Sequence, residues 1–363
     1  MASIIEFKKQ KTTPRTPTAI NKISHPKGEI YNMEHLSISD RDEEMLTLNS
    51  ILNEIMEDAL NGNAEAQNNL GECYEYGFEI KRDFKLAFSW YEKSAEQGYA
   101  KAELNLGDCY EAGIGVNKNK HKAFEYYQRA ANKGLAEAQY NLGLYYKFGE
   151  GVKDDIHKAI ELYEKAAKQN HTLALNDLGE CYREGDGVAK NKNKAIEYFK
   201  KASNLQDPMA QMNLAMCYYE GEGVQKNIRK AVELCRKAAE QNLALAQVMM
   251  GAFYLGGEGV PQSDFYGVLW LRAAADNGSD DAYLELAECY KSGIGVMHSW
   301  EKSVEYLEKA AKLDNAIAQY LLGQCYEQGI VYPININKAE RWYKKAAKQD
   351  FEEAIEALKN LKK

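Results

Sequence analysis

Seven cysteines are the side chains of this sequence best suited to chemistry, because thiolates ligate zinc, attack electrophiles and pair as disulfides. No Cys-x-x-Cys pair supplies zinc ligands. Six of the seven recur at intervals of 36 or 72 residues: Cys73, Cys109, Cys181, Cys217, Cys289 and Cys325. Equivalent positions in stacked helices lie about 8–10 Å or more apart, whereas a disulfide needs Cα atoms within about 7 Å. We therefore predict buried small hydrophobic side chains here, and also at Cys235, which occupies an aromatic position of the pattern.

Glycine pairs and histidines are the other candidates for chemistry. Gly-x-Gly begins at Gly113, Gly149, Gly185, Gly221 and Gly293. No strand pattern precedes these pairs, and none continues as a phosphate-binding Gly-x-Gly-x-x-Gly or Gly-Lys-Ser/Thr. The six histidines form no His-x-x-x-His pair, and no Gly-x-Ser-x-Gly occurs. The sequence therefore predicts turn glycines, no metal site, no cofactor and no enzymatic activity.

The positions of these cysteines and glycine pairs follow a 36-residue repeat. Its marker is an alanine at nine equally spaced positions: Ala66, Ala102, Ala138, Ala174, Ala210, Ala246, Ala282, Ala318 and Ala354. Each unit contains two stretches with helical spacing of apolar residues, here named helix A and helix B, and in most units the glycine pair lies between them. The sequence predicts an all-α fold, an α/α solenoid superhelix of about eight 36-residue helix-turn-helix repeats with capping helices. The repeats are assigned to 63–351, with a capping helix on each side at 41–62 and 352–363.

The repeat resembles a known family. Residues 138–152 read Ala-Gln-x-x-Leu-Gly-x-x-Tyr-x-x-Gly-x-Gly-Val, and residues 158–167 read Lys-Ala-x-x-x-Tyr-x-x-Ala-Ala. This pattern is similar to the Sel1-like repeat, a relative of the tetratricopeptide repeat, and it covers about 64–351. The resemblance implies an adaptor or scaffold for protein complexes without chemistry of its own. Glu79 and Val331 replace the second turn glycine in units one and eight, so the conformation of those two turns stays open.

Charge is distributed unevenly along the chain. Residues 1–39 carry six Lys or Arg against three Glu, and since the whole chain carries −8, the remainder carries about −11. An acidic solenoid is a poor match for nucleic acid, so we expect protein partners instead. No apolar run is long enough to cross a membrane, and neither a secretory nor a transit signal is recognisable near Met1, so we expect no membrane insertion and a cytoplasmic location. The oligomeric state stays open.

Residues 1–40 are predicted to be a disordered basic tail. They contain a Pro14-x-x-Pro17 element and Thr-Pro sites at Thr13 and Thr16. Two interpretations follow, a plain flexible tail or a docking arm that phosphorylation controls.

A stripe of helix A is the candidate binding surface. It consists of the positions one before and two, six and nine after the repeat alanine, which share one helical face. In units one and four this stripe is largely polar, but in units five and six it loses all charge. There the residues are Met209, Met212, Met216, Tyr219, Leu245, Val248, Ala252 and Leu255. An apolar, methionine-rich surface suits an adaptable partner site, although packing on the neighbouring unit explains Met212 and Val248 equally well.

A ladder of amides is a second candidate. It comprises Asn69, Asn105, Asn141, Asp177 and Asn213, which recur in five successive units. These side chains could hold an extended peptide backbone, or they could form hydrogen bonds within the scaffold.

The sequence thus predicts a non-catalytic interaction scaffold that binds an apolar peptide or helix of a partner on its concave surface. The main alternative is a regulatory subunit that controls a partner kinase or hydrolase, with the tail as a switch. A hydrolase on this scaffold is the third possibility, but no nucleophile and base are placed together.

Overall fold

Each 36-residue unit folds as two helices of twelve or thirteen residues, joined by turns of seven and three residues. The computed structural model describes residues 50–361, so the predicted tail over 1–40 and the first part of the predicted capping helix lie outside the described residues. The described helices are α1 (residues 50–60), α2 (Ala64–Tyr76), α3 (Phe84–Glu96), α4 (Ala100–Ala112), α5 (Lys120–Asn132), α6 (Ala136–Phe148), α7 (Ile156–Lys168), α8 (Thr172–Glu184), α9 (Lys192–Asn204), α10 (Pro208–Glu220), α11 (Ile228–Glu240), α12 (Ala244–Gly256), α13 (Asp264–Asp276), α14 (Asp280–Ser292), α15 (Trp300–Lys312), α16 (Ala316–Gln328), α17 (Ile336–Ala347) and α18 (Glu352–Asn360).

Helices stack in chain order, each against the next. The even-numbered helices α2 to α16 are helix A of units one to eight, and the odd-numbered helices α3 to α17 are helix B. The all-α helical solenoid of paired repeats is confirmed. Helix α1 lies before unit one and packs its Ala59 and Leu52 with Leu70 of α2, while α18 packs on α17.

In every unit a small residue on helix A faces the core side chain of helix B, and that side chain is large in every unit except unit five. The repeat alanine is buried in all nine positions, and in each of the eight units a glycine or a second alanine follows five residues later. A Cβ atom built on Gly143 would lie 2.6 Å from the Tyr163 ring, and Gly107 meets Tyr127 in the same way. Where helix A carries Ala215, the opposite residue is Cys235. The two helices of a unit therefore approach as closely as this pair of side chains allows.

The seven-residue turn is set by backbone conformation at two positions. Gly113 ends α4 in the left-handed region with φ 80°, and Gly115 follows with φ 68°. A Cβ on Gly115 would collide with the backbone carbonyl of Phe84 in the preceding unit. The second glycine thus serves both the turn and the stacking of units. The turn then ends at a side-chain N-cap of helix B in all eight units: Asp83, Asn119, Asp155, Asn191, Asn227, Ser263, Ser299 and Asn335.

Units one and eight keep this turn without its second glycine. Glu79 and Val331 adopt the left-handed conformation themselves, with φ 52° and 61°. The question left open by the sequence is therefore answered in favour of the common turn. Tertiary packing imposes a conformation that a β-branched side chain disfavours.

Val331→Gly is expected to raise the free energy of unfolding by about 1 kcal/mol. Removing the Cβ relieves left-handed strain of about 1–2 kcal/mol, and the greater freedom of glycine in the unfolded chain offsets part of the gain. Urea denaturation followed by circular dichroism measures the change. Val331→Ala is the matched control, because alanine keeps the Cβ atom and should give little of the gain. Equal stabilisation by both variants would contradict the strain.

A buried side-chain link joins consecutive units. Gln139, next to the repeat alanine, donates to the carbonyl of Ala131 in the preceding helix B and accepts a hydrogen bond at 3.0 Å from Gln169 at the end of its own unit's helix B. The same acceptor bond, between residues 30 apart, recurs at Gln67, Gln211, Gln247 and Gln319.

Unit two replaces this amide pair by charges. Glu103, fully buried, occupies the glutamine position, and Lys133 occupies the position of its partner. The Lys133 Nζ atom lies 2.6 Å from Glu103 Oε2, and Arg129 Nη2 lies 2.8 Å from Oε1. In unit four the same two positions hold Leu175 and Leu205. The two positions thus change together from amides to ions to aliphatic side chains.

Candidate partner-binding surface

The uncharged stripe lies on α10 and α12, the A helices of units five and six, and its eight residues differ in exposure. Met212 and Val248 are buried, with 3% and 9% of their surface exposed. They belong to the core, as packing on the neighbouring unit predicts, and are not available to a partner. Leu245 is 43% exposed. The other five are partly exposed: Met209, Met216, Tyr219, Ala252 and Leu255.

Neighbouring groups hold the far end of the stripe in place. The Tyr219 ring packs on Phe253 with centroids 5.7 Å apart, and its hydroxyl donates to Glu258 Oε2 at 2.8 Å in the next unit. This hydrogen bond is the largest cause of the raised pKa of Tyr219. Leu255 lies over Gly267 of α13, where an added Cβ would come within 2.6 Å of its side chain. Tyr219 and Leu255 are therefore fixed by contacts across helices.

The helix B residue that faces the small residue of helix A explains part of the loss of charge on the stripe of units five and six. In units one, two and eight this residue is a buried tyrosine whose hydroxyl donates to the carboxylate nine residues after the repeat alanine: Glu75, Glu111 and Glu327. Units five and six carry Cys235 and Leu271 instead, so no acceptor is needed on the stripe. Units four and seven also lack this tyrosine, yet they place Arg183 and Lys291 there. The missing hydroxyl accounts for the absent carboxylate but not for the apolar side chains.

Carboxylates dominate the same stripe at the other end of the solenoid. The Tyr127 hydroxyl lies 2.7 Å from Asp108 Oδ1 and 2.6 Å from Glu111 Oε2. Burial raises the pKa of Asp108 to about 8, and neighbouring carboxylates add to this effect. The raised pKa favours the protonated form of the Asp108 carboxyl near neutral pH. This end of the stripe differs in chemistry from units five and six.

Members of the amide ladder form hydrogen bonds between units. Asn105 Nδ2 donates to Asn68 Oδ1, and Asn213 Nδ2 donates to Asn176 Oδ1, both at 2.9 Å. Asp177 accepts from the Tyr140 hydroxyl at 3.0 Å. These three contacts favour the scaffold interpretation. Asn69 and Asn141 are partly exposed, and peptide binding by the ladder stays a prediction.

The thiols are buried and unpaired. All seven cysteines are free, as the spacing predicts. Burial raises the pKa of Cys73, Cys181, Cys217 and Cys325 to about 11 and that of Cys235 and Cys289 to about 12, from 9.0. The pKa of Cys109 is raised for the same reason. Thiolate, the reactive form, is therefore scarce at neutral pH.

We expect no maleimide adduct on the native protein at pH 7.5 within the time that labels the unfolded chain completely. Unfolding in guanidinium should give seven adducts by mass spectrometry. Gln128→Cys, on the exposed side of α5, is the control that must label in the native state. Rapid labelling of any native thiol in the unmodified chain would contradict the burial.

Within residues 50–361 no three His, Cys, Asp or Glu side chains are grouped so that they could hold a metal ion. None of the described helices is long and apolar enough to cross a membrane.

The Sel1 repeat model matches eight consecutive segments of the chain: 64–99, 100–135, 136–171, 172–207, 208–243, 244–279, 280–315 and 316–351. The chain belongs to the Sel1 repeat family. The matched boundaries coincide with the A and B helix pairs, and the resemblance seen in the sequence is confirmed.

Two solved structures are similar over most of the Sel1 repeats. A Sel1 repeat protein from Oxalobacter formigenes shares 31% identity and a TM-score of 0.65 over 88% of this chain and 93% of that one. A protective antigen of uropathogenic Escherichia coli shares 32% identity and a TM-score of 0.66 over 85% of this chain. This chain spans 66% of the antigen's length. No curated protein matches.

Proposed function

We propose that this Sel1 repeat protein is a non-enzymatic interaction scaffold that binds an apolar peptide or helix of a partner protein through units five and six. The observation that carries the proposal is the uncharged surface formed by Met216, Tyr219, Leu245 and Leu255, on a stripe that carries charge in the other units. Partly exposed apolar side chains grouped in this way are typical of partner sites. We expect this surface to lie on the concave side of the superhelix.

The arrangement suits an adaptable ligand. Met209 and Met216 supply flexible, polarisable side chains, whereas Tyr219 and Leu255 are fixed by contacts with Glu258 and Gly267. A surface with both kinds of residue can orient one part of an apolar segment and adjust to the rest. On the side of unit four, the stripe position next to this uncharged surface holds Arg183, which is paired with Glu180. The acidic balance of the repeats favours a partner with basic flanks.

The free, buried thiols support a reducing compartment, and we infer a cytoplasmic location. The alternative of a tail-controlled regulatory subunit depends on residues outside the described range.

Affinity purification with the full chain and with Met216→Glu plus Leu255→Glu tests the proposal. Each new carboxylate would have to be desolvated against an apolar partner, so we expect bound partners to fall at least tenfold. The matched control is Lys291→Glu plus Gln324→Glu, which places one carboxylate at the position of Leu255 in unit seven and the other at the position of Met216 in unit eight. Circular dichroism checks folding of both variants. If the folded Met216→Glu plus Leu255→Glu variant and the control recover every partner equally, the proposal is refuted.

A further inference from the structure

Helix B of unit six carries an exposed apolar surface that the repeat does not explain. On α13, Phe265 is 66% exposed and Leu269, one turn later, is 50% exposed. A Cβ on Gly295 would collide with the Asp264 backbone, so the turn between the two helices of unit seven lies against the first turn of α13. This turn adds Ile294 at 38% and Met297 at 90% exposure. Phe265, Leu269, Ile294 and Met297 are called the α13 face below.

The equivalent positions in other units are polar or charged. Where Phe265 stands, the other units have Lys85, His121, His157, Asn193, Arg229, Glu301 and Asn337. Where Leu269 stands, five units have a glutamate. In unit two the equivalents, His121 and Glu125, lie 3.5 Å apart as a polar pair on the helix surface. Unit six has thus exchanged a solvated i,i+4 pair for two large apolar side chains.

Folding accounts for the neighbouring Tyr266 but not for the α13 face. In six units the residue at the position of Tyr266 is a lysine whose ammonium lies over a helix A tyrosine ring, as Lys230 does over Tyr218 at 4.6 Å. Tyr266 takes over this contact with Tyr254, at 5.4 Å between centroids. The Phe265 ring meets the Tyr266 ring edge-on with centroids 5.5 Å apart, and Met297 is almost fully exposed. Their apolar character therefore needs a covering surface.

We propose that the α13 face joins two copies of this chain in a two-fold symmetric dimer, with the α13 helices antiparallel. In that arrangement Phe265 of each copy packs on Leu269 of the other, because the two lie one turn apart on one side of the helix. Asp264 precedes the apolar pair and Arg272 follows it on the exposed side. Antiparallel packing brings the acidic end of each helix towards the basic residue of the other, so the charges of the face are complementary to themselves.

The area is sufficient for a weak dimer. Side chains of this size and exposure present roughly 100 Å² each, so the face and Tyr266 from two copies cover on the order of 1,000 Å². This is the lower end for a specific interface. The dimer would use helix B of unit six and leave the helix A stripe of units five and six uncovered. Dimerisation and partner binding can therefore fail independently.

Analytical ultracentrifugation of the full chain at about 1–100 µM measures the dimer, because interfaces near 1,000 Å² give weak association. We expect the average mass to rise towards twice that of the chain, and Phe265→His plus Leu269→Glu, which installs the pair of unit two, to remain monomeric. The control is Leu313→Gln, which replaces another half-exposed leucine by the glutamine that several units carry at this position. This variant should still dimerise. A wild type that stays monomeric at about 100 µM overturns the proposal, as does a folded Phe265→His plus Leu269→Glu variant that still dimerises.

Disulfide cross-linking tests the antiparallel register. The native thiols are buried, so we expect disulfides to form only between cysteines introduced on the α13 face. A mixture of Phe265→Cys and Leu269→Cys chains should form mainly mixed disulfides, because these two positions face each other across the two-fold axis. Equal or greater formation of like pairs would overturn the register.

Discussion

Lys133→Leu is expected to lower the free energy of unfolding by about 3 kcal/mol, because it leaves a fully buried carboxylate with one of its two cations. Glu103 is 0% exposed and pairs with Lys133 and Arg129 at 2.6 and 2.8 Å. Breaking a buried ion pair from one side costs about 3–5 kcal/mol, and the lower value applies because Arg129 remains and is half exposed. Urea denaturation at neutral pH measures the loss.

Removal of both charges should restore the stability. Glu103→Leu plus Lys133→Leu gives unit two the Leu175 and Leu205 pair of unit four. A buried ion pair replaced by apolar residues of similar volume is often neutral or stabilising, so the double variant should unfold within about 1 kcal/mol of the wild type. A double variant as unstable as Lys133→Leu alone would show that the carboxylate has another role.

Gly107→Ala is expected to destabilise the protein by about 1–3 kcal/mol through overpacking. The new methyl group would collide with the Tyr127 ring, which is fully buried. The ring cannot turn aside easily because its hydroxyl is bound between Asp108 and Glu111. In a solvent-exposed helix the same substitution would stabilise by about 1 kcal/mol. Thermal and urea unfolding measure the change.

The sign of this effect should reverse when the ring is removed. Tyr127→Leu lowers stability by itself, but Gly107→Ala added to it recreates the Ala287 and Leu307 pair of unit seven. In that background the alanine should be neutral or stabilising. A Gly107→Ala effect of equal size in both backgrounds would mean that contact with the ring is not the cause.

The 36-residue periodicity was enough to predict the helices, the turns and the buried cysteines, because every unit repeats the same packing requirements. Glu79 and Val331 show that the turn survives without its second glycine, because both residues adopt the left-handed conformation themselves. The N-cap residues before each helix B were also visible in the sequence, as Asp or Asn at residues such as 83 and 119. They were not predicted as N-caps, because these side chains form no catalytic or ligand-binding motif.

The exposure of individual stripe residues was less predictable. Met212 and Met216 lie one turn apart on the same face, yet one is buried and the other partly exposed, because the stacking of the neighbouring unit decides which turn is covered. The link between Glu103 and Lys133 was also missed, although comparing residues 30 apart in each unit would have revealed it. The α13 face was not predicted, because Phe265 and Leu269 depart from the repeat on helix B and not on the helix A stripe.

Site-specific photo-cross-linking tests the proposed function most directly. A photoreactive residue placed at Met216 or Leu255 of the full chain is activated in cells, and covalent adducts are identified by mass spectrometry. The scaffold proposal predicts the same partner adduct from both positions and none from Lys291 or Gln324, the equivalent stripe positions of units seven and eight. Absence of adducts at Met216 and Leu255, or equal adducts from all four positions, would contradict it.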